Sequence, residues 1–169
     1  MRYMFHVIFM LLIACLQGTV CKTLSIAGVS VNLFIVYISV ICFLAYKTEG
    51  IVTAGAYGLM LDILTSRFIG IYMVLFVIAA FLIYNLASRV FKEPKFYISA
   101  LIVFVASVFI NMFYYLISFL VLKDVNFGFA FLRIILPETL MDTIISVPFY
   151  FLLKHITKRF YTDKGEFIG

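Results

Sequence analysis

Four stretches of the chain, residues 3–20, 23–46, 68–88 and 96–122, run 18, 24, 21 and 27 residues without an aspartate, glutamate, lysine or arginine. A helix needs about 20 mainly apolar residues to cross a hydrocarbon core about 30 Å thick, so each run predicts a transmembrane helix. Lipid offers the backbone no hydrogen-bond partner, which leaves helices as the way for such runs to cross. Composition agrees. Of the 169 residues 66% are hydrophobic and 12% charged, against about 45–50% and about 25% in soluble domains. The chain reads as an all-α integral membrane protein, a single polytopic domain over residues 1–169.

Two further stretches are apolar but interrupted. Residues 51–66 contain Asp62, and residues 137–153 contain Glu138, Asp142 and Pro148. They cross only if their acids face protein, water or an interface. With them the prediction is a compact bundle of about six transmembrane helices, near 3–20, 23–46, 51–66, 68–88, 96–122 and 137–153, followed by a basic tail, 154–169. Six spans put nine basic residues (Arg2, Lys47, Arg89, Lys92, Lys95, Lys154, Lys158, Arg159 and Lys164) on one side, and Lys22, Arg67, Lys123 and Arg133 on the other. The positive-inside rule then places both termini in the cytoplasm.

Little chain is left for chemistry outside the bilayer. The longest external connection, 123–136, includes "NFGFAFLRIIL", apolar enough to lie along the interface. The short basic tail reads first as a positive-inside anchor. Cys15, Cys21 and Cys42 have neither CxxC spacing nor accompanying histidines, which argues against a disulfide framework or a zinc site. "LIAC", residues 12–15, has the outline of a lipoprotein cleavage site, but the preceding segment carries only Arg2 as a charge. His6 and His155 read as interfacial packing residues, and Tyr3, Tyr46, Tyr97, Tyr150 and Tyr161 as interface anchors. No cofactor, metal or nucleic-acid site is expected.

Asp62 is the residue that needs explaining. At 100° per residue, Ala54, Gly55, Gly58, Asp62, Thr65 and Ser66 fall within about 120° of one another on the third helix, with Ile51 intruding. Small residues so spaced let a neighbouring helix approach closely where lipid supplies no hydrophobic drive. The expectation is a packing or partner seam, extended by Gly70. Topology gathers Asp62, Arg67, Arg133, Glu138 and Asp142 toward the outer face, where pairing with Arg67 or Arg133 would offset the burial of the acid. As a helix-joining hydrogen-bonding group, Asp62 is expected to tolerate replacement by asparagine. Paired intramembrane aspartates also raise an aspartyl-protease reading. Asp62 follows "GLML" rather than standing in a GxGD turn, and no GxSxG supports acyl transfer.

"GLMLDILTSRFIGIYMVLF", residues 58–76, resembles the signature of the bacterial MreD family, carried by Gly58, Leu59, Asp62, Ser66 and Gly70. "LPETLMDTIISVPFYFLL", residues 136–153, is similar to that family's last helix, although an asparagine is usual there near position 142. The resemblance implies a non-enzymatic membrane scaffold of the cell-elongation and peptidoglycan-synthesis machinery. It further implies an MreC-like single-span partner and, through the complex, MreB, RodZ, a SEDS glycosyltransferase and a class B transpeptidase. A homodimer is left open. The implied fold is related to the substrate-binding subunits of energy-coupling-factor vitamin transporters. That kinship makes a vitamin-binding subunit the rival reading, to be recognised by an enclosed outer cavity with convergent polar groups.

Overall fold

The chain is described by a computed structural model over residues 2–21, 29–44, 47–65, 69–90, 95–122 and 127–161. Every regular helix or strand among the described residues is helical: α1 (Arg2–Leu16), α2 (Leu33–Leu44), α3 (Lys47–Thr65), α4 (Ile71–Val90), α5 (Phe96–Leu122), the single turn α6 (Phe127–Ala130) and α7 (Leu136–Tyr161). Wider π-helical turns extend α1 over Gln17–Cys21 and join α6 to α7 over Phe131–Ile135. One described helix, Phe96–Val121, is long and apolar enough to cross a bilayer by itself; shorter apolar helices cover His6–Thr19, Leu33–Leu44, Gly50–Leu64 and Ile71–Ala87.

The centre of the molecule is α2. All twelve of its residues are buried, and it packs against α3, α4, α5 and α7. A helix apolar on every side belongs inside. Around it the pattern is that of a protein solvated by lipid. Ile8, Leu86, Leu101 and Ile144 face outward, while Asn32, Asp62, Asn111 and Asp142 are buried. Polar groups turned inward and large apolar groups outward is the arrangement hydrocarbon demands and water penalises.

Several boundaries differ from the sequence-based expectation, each for a physical reason. The helix expected over 23–46 is helical only over Leu33–Leu44 among the described residues, because Asn32 caps it: Asn32 O accepts the first helical bond from Val36 N at 3.2 Å, and Asn32 Oδ1 accepts from Ile35 N at 3.4 Å. That is N-cap geometry. Pro137 does not open the last helix as expected. Helix already precedes it, and Leu136 N–H reaches back five residues to Phe131 O, a widening that accommodates a residue with no N–H to donate. The tail expected from 154 is helical to Tyr161.

Two expected interfacial residues are interior. His6 is 5% exposed and its Nδ1 lies 2.8 Å from Tyr37 Oη, while Tyr57 Oη donates to His6 O at 2.8 Å. Tyr37 and Tyr57 stack at 4.7 Å, which ties α1 to α2 and α3. Tyr150 is buried as well, with the Lys154 ammonium over its ring. Tyr97 is exposed; the side chains of Tyr3, Tyr46 and Tyr161 lie outside the described residues.

Candidate functional site

Helix α3 runs toward a tight turn at Gly70, and α4 returns along it. Gly58 makes the close approach possible: a Cβ there would stand 2.6 Å from Met73 Cα, 2.7 Å from Tyr72 O and 2.8 Å from Met73 N. Those are backbone atoms, so no side-chain rotation relieves the clash. Gly55, one turn earlier, would meet only Val77 Cγ2 at an ordinary 3.5 Å. With Ala54 and Asp62 also buried, the small-residue seam is the face on which α3 receives α4.

Asp62 completes that hairpin. Its Oδ2 accepts hydrogen bonds from Gly70 N at 2.9 Å and Met73 N at 3.1 Å, and its Oδ1 accepts from Tyr72 N at 3.1 Å. These are the donors that open α4. Gly70 O accepts the first helical bond, from Val74 N at 3.1 Å, which makes Gly70 the N-cap residue. A helix start leaves its first N–H groups unpaired, and an N-cap aspartate or serine ordinarily satisfies them. Gly70 adopts φ +106°, a conformation other residues reach only at about 1–2 kcal/mol, and it has no side chain with which to cap. Asp62 does the capping from eight residues upstream. The carboxylate also lies at the positive end of the α4 dipole.

The second acid has a related role. Asp142 Oδ1 accepts from Asn32 N at 2.8 Å, and Asp142 Oδ2 accepts from Ser107 Oγ at 2.7 Å. Leu33 N, the next donor of α2, goes to Gln17 Oε1 at 3.0 Å, and Gln17 Nε2 donates to Val31 O at 2.8 Å. The start of α2 is thus held by side chains from the end of α1 and from α7. Asn111 Nδ2 donates to Ser107 Oγ at 3.5 Å. Glu138 stands one turn before Asp142 on α7. Tyr72, whose N–H donates to Asp62, stacks on Tyr114 of α5 at 4.4 Å.

Of the residues expected at the site, the structure brings Ala54, Gly55, Gly58, Asp62 and Gly70 together in the hairpin and sets Asp142 at the Asn32 N–H, with Glu138 one turn before it on α7. The Thr65 side chain, Ser66 and Arg67 lie outside the described residues. Arg133 is exposed, its guanidinium 5.9 Å from the centre of the Phe129 ring. Backbone N–H groups meet the Asp62 carboxylate; the pairing expected with Arg67 falls outside the described residues. Gln17, Asn32, Ser107 and Asn111 went unnoticed in the sequence, although each is a polar residue in a charge-free run.

The geometry separates the two acids by experiment. Both oxygens of Asp62 face N–H groups, whereas one partner of Asp142 is a hydroxyl that accepts as readily as it donates. Asp142→Asn should therefore retain the fold, its amide donating to Ser107 Oγ, while Asp142→Leu leaves Asn32 N unpaired at a cost of about 1–3 kcal/mol. The check is detergent thermal unfolding of both variants. A loss with Asn as large as with Leu would refute the assignment.

An apolar groove of about 290 Å³ lies between α4 and α5, lined by residues that include Ala79, Leu82, Leu86, Leu101, Val105 and Phe109. It sits toward the far end of both helices from Gly70 and Asp62. Among the described residues no group of three or more His, Cys, Asp or Glu side chains is placed to hold a metal ion.

A family model described as rod shape-determining protein MreD matches residues 1–160 of the chain. No curated protein matches. No solved structure matches either, so the expected kinship to vitamin-transporter subunits gains no support there.

Proposed function

The chain belongs to the MreD family of rod shape-determining proteins, bacterial membrane proteins, and from that premise we propose that it is a non-enzymatic, multi-pass scaffold of the cell-elongation machinery. The proposed arrangement is six spans in the cytoplasmic membrane with both termini inside. An MreC-like single-span protein is the direct partner; MreB, RodZ, the SEDS glycosyltransferase and the class B transpeptidase join through the complex.

One observation carries the scaffold reading. Gly58, Asp62 and Gly70 all serve the internal α3–α4 hairpin, where the carboxylate accepts three backbone hydrogen bonds. An acid so engaged shapes a surface; it does not activate water, as the protease reading requires. The rival vitamin-binding reading needs polar groups converging on a cavity. The α4–α5 groove is lined by apolar side chains, and the Asp142 oxygens accept from the protein's own donors.

The functional test is restoration of rod shape in depleted cells, read beside co-purification of the MreC-like partner. Wild-type protein should give both. Restored shape without co-purification would sink the partner assignment. Topology has its own test. Reporter fusions after Glu93 and after Lys164 should read as cytoplasmic and a fusion after Asn126 as periplasmic, because the basic residues fall nine to four between the two sides. A periplasmic C-terminus would refute six spans.

A further inference from the structure

The helical lead-in to α7, α6 with its following π-turn, has two chemically different faces. Ala130 and Ile135 are buried, and the segment packs on α5 and α7. The opposite face carries Phe129 and Leu132, 60% and 66% exposed, beside exposed Arg133. Bulk water disfavours so much apolar surface, and hydrocarbon disfavours a guanidinium. The boundary between them suits both. Chain geometry puts the segment at that boundary: α5 has 27 residues, about 40 Å of helix, which exceeds the roughly 30 Å core. Its end at Leu122 therefore emerges at headgroup level, and α6 begins five residues later.

The geometry points to a phospholipid-binding collar in which Phe129 and Leu132 enter the boundary of acyl chain and glycerol while Arg133 hydrogen-bonds the phosphodiester of one lipid. Charge complementarity selects this occupant. A planar guanidinium presents paired N–H donors that match two phosphate oxygens, and the flanking side chains match the chains attached to that phosphate. The inference rests on the membrane reading above, and the test separates the two.

The protein has no tryptophan, so a single Phe129→Trp reports from the collar alone. In full-length protein reconstituted in phosphatidylethanolamine–phosphatidylglycerol vesicles, bromines on the acyl chain near the glycerol should quench this tryptophan more strongly than bromines near the chain end. Adding Arg133→Gln should lower the shallow quenching about twofold, and Arg133→Lys by less, because lysine keeps the charge without the fork. In phosphate-free digalactosyldiacylglycerol vesicles the effect of Arg133→Gln should disappear. Arg133 is exposed, so unchanged helical circular dichroism is expected for its variants.

Val105→Trp is the control. Val105 is 58% exposed in the central third of α5 and should be quenched by deep bromines. Failure there overturns the membrane reading, and the collar falls with it. With that control satisfied, a Phe129→Trp signal quenched by iodide but not by bromolipid puts the face in water or against protein and overturns the proposal. Equal shallow quenching with and without the guanidinium in phospholipid overturns the phosphate contact.

Discussion

Gly58→Leu should leave no folded, partner-competent protein, and Gly58→Ala should already be severely impaired. The added Cβ meets the backbone of Tyr72 and Met73 at 2.6–2.8 Å, inside van der Waals contact. Only separation of α3 from α4 relieves it. Overpacking in a well-packed interior costs typically about 1–3 kcal/mol, and here the obstruction is main chain. Separation would also draw Asp62 away from the donors it caps. The controls are close by. Gly55→Ala would meet a side-chain methyl at 3.5 Å and should be mild, as should Leu59→Ile on the exposed face of α3. The measurements are membrane protein level, detergent unfolding temperature and restoration of rod shape. Wild-type behaviour of Gly58→Ala would show that the two helices do not meet there.

Asp62→Leu should be the second large effect, and Asp62→Asn should fall between it and the wild type. Leucine leaves the Gly70, Tyr72 and Met73 N–H groups without an acceptor, each at a cost of about 1–3 kcal/mol when buried. Asparagine keeps one acceptor oxygen and turns an NH2 group toward a remaining backbone donor, so at least one bond is lost along with the charge at the helix start. This revises the sequence-based expectation that asparagine would suffice. It also sets Asp62 apart from Asp142, where a hydroxyl partner adapts. Depleted cells expressing each variant at matched level, with partner co-purification, give the readout. Full rescue by Asp62→Leu would remove the capping role.

The seam was legible because helical periodicity alone places Gly58 and Asp62 on one face, and small residues there imply a close neighbour. The identity of the acid's partners was not. Sequence suggests that a buried charge seeks an opposite charge, so Arg67 and Arg133 stood out. Three of the acid's donors are backbone groups, and backbone groups have no letter in a sequence. Gly70 reads from the sequence as an extension of the seam; its place as an N-cap without a capping side chain gains meaning only once Asp62 is seen to replace it.

The second cluster was hidden for another reason. Counting runs free of charged residues finds spans but passes over Gln17, Asn32, Ser107 and Asn111, which are uncharged. The same count predicted helix from 23, since absence of charge does not distinguish helix from other backbone. Polar singletons in apolar runs were the available signal: an unpaired amide is costly in hydrocarbon, so each implied a partner in another helix.

The bond from Asn32 to Asp142 joins residues 110 positions apart, and this bears on how the protein is made. A ribosome adding about 5–20 residues per second delivers Asp142 roughly 5–20 s after Asn32. Throughout that interval the first turn of the innermost helix lacks its final acceptor. The α3–α4 hairpin needs no such wait, because its bonds span 8 to 11 residues and close once Met73 has emerged. Biogenesis is therefore polarised, with an early, self-sufficient hairpin and a core finished only once α7 has left the ribosome. A nascent chain stalled or cut before α7 is incomplete at its centre, and exposes to membrane quality control the helix that the mature protein hides most completely.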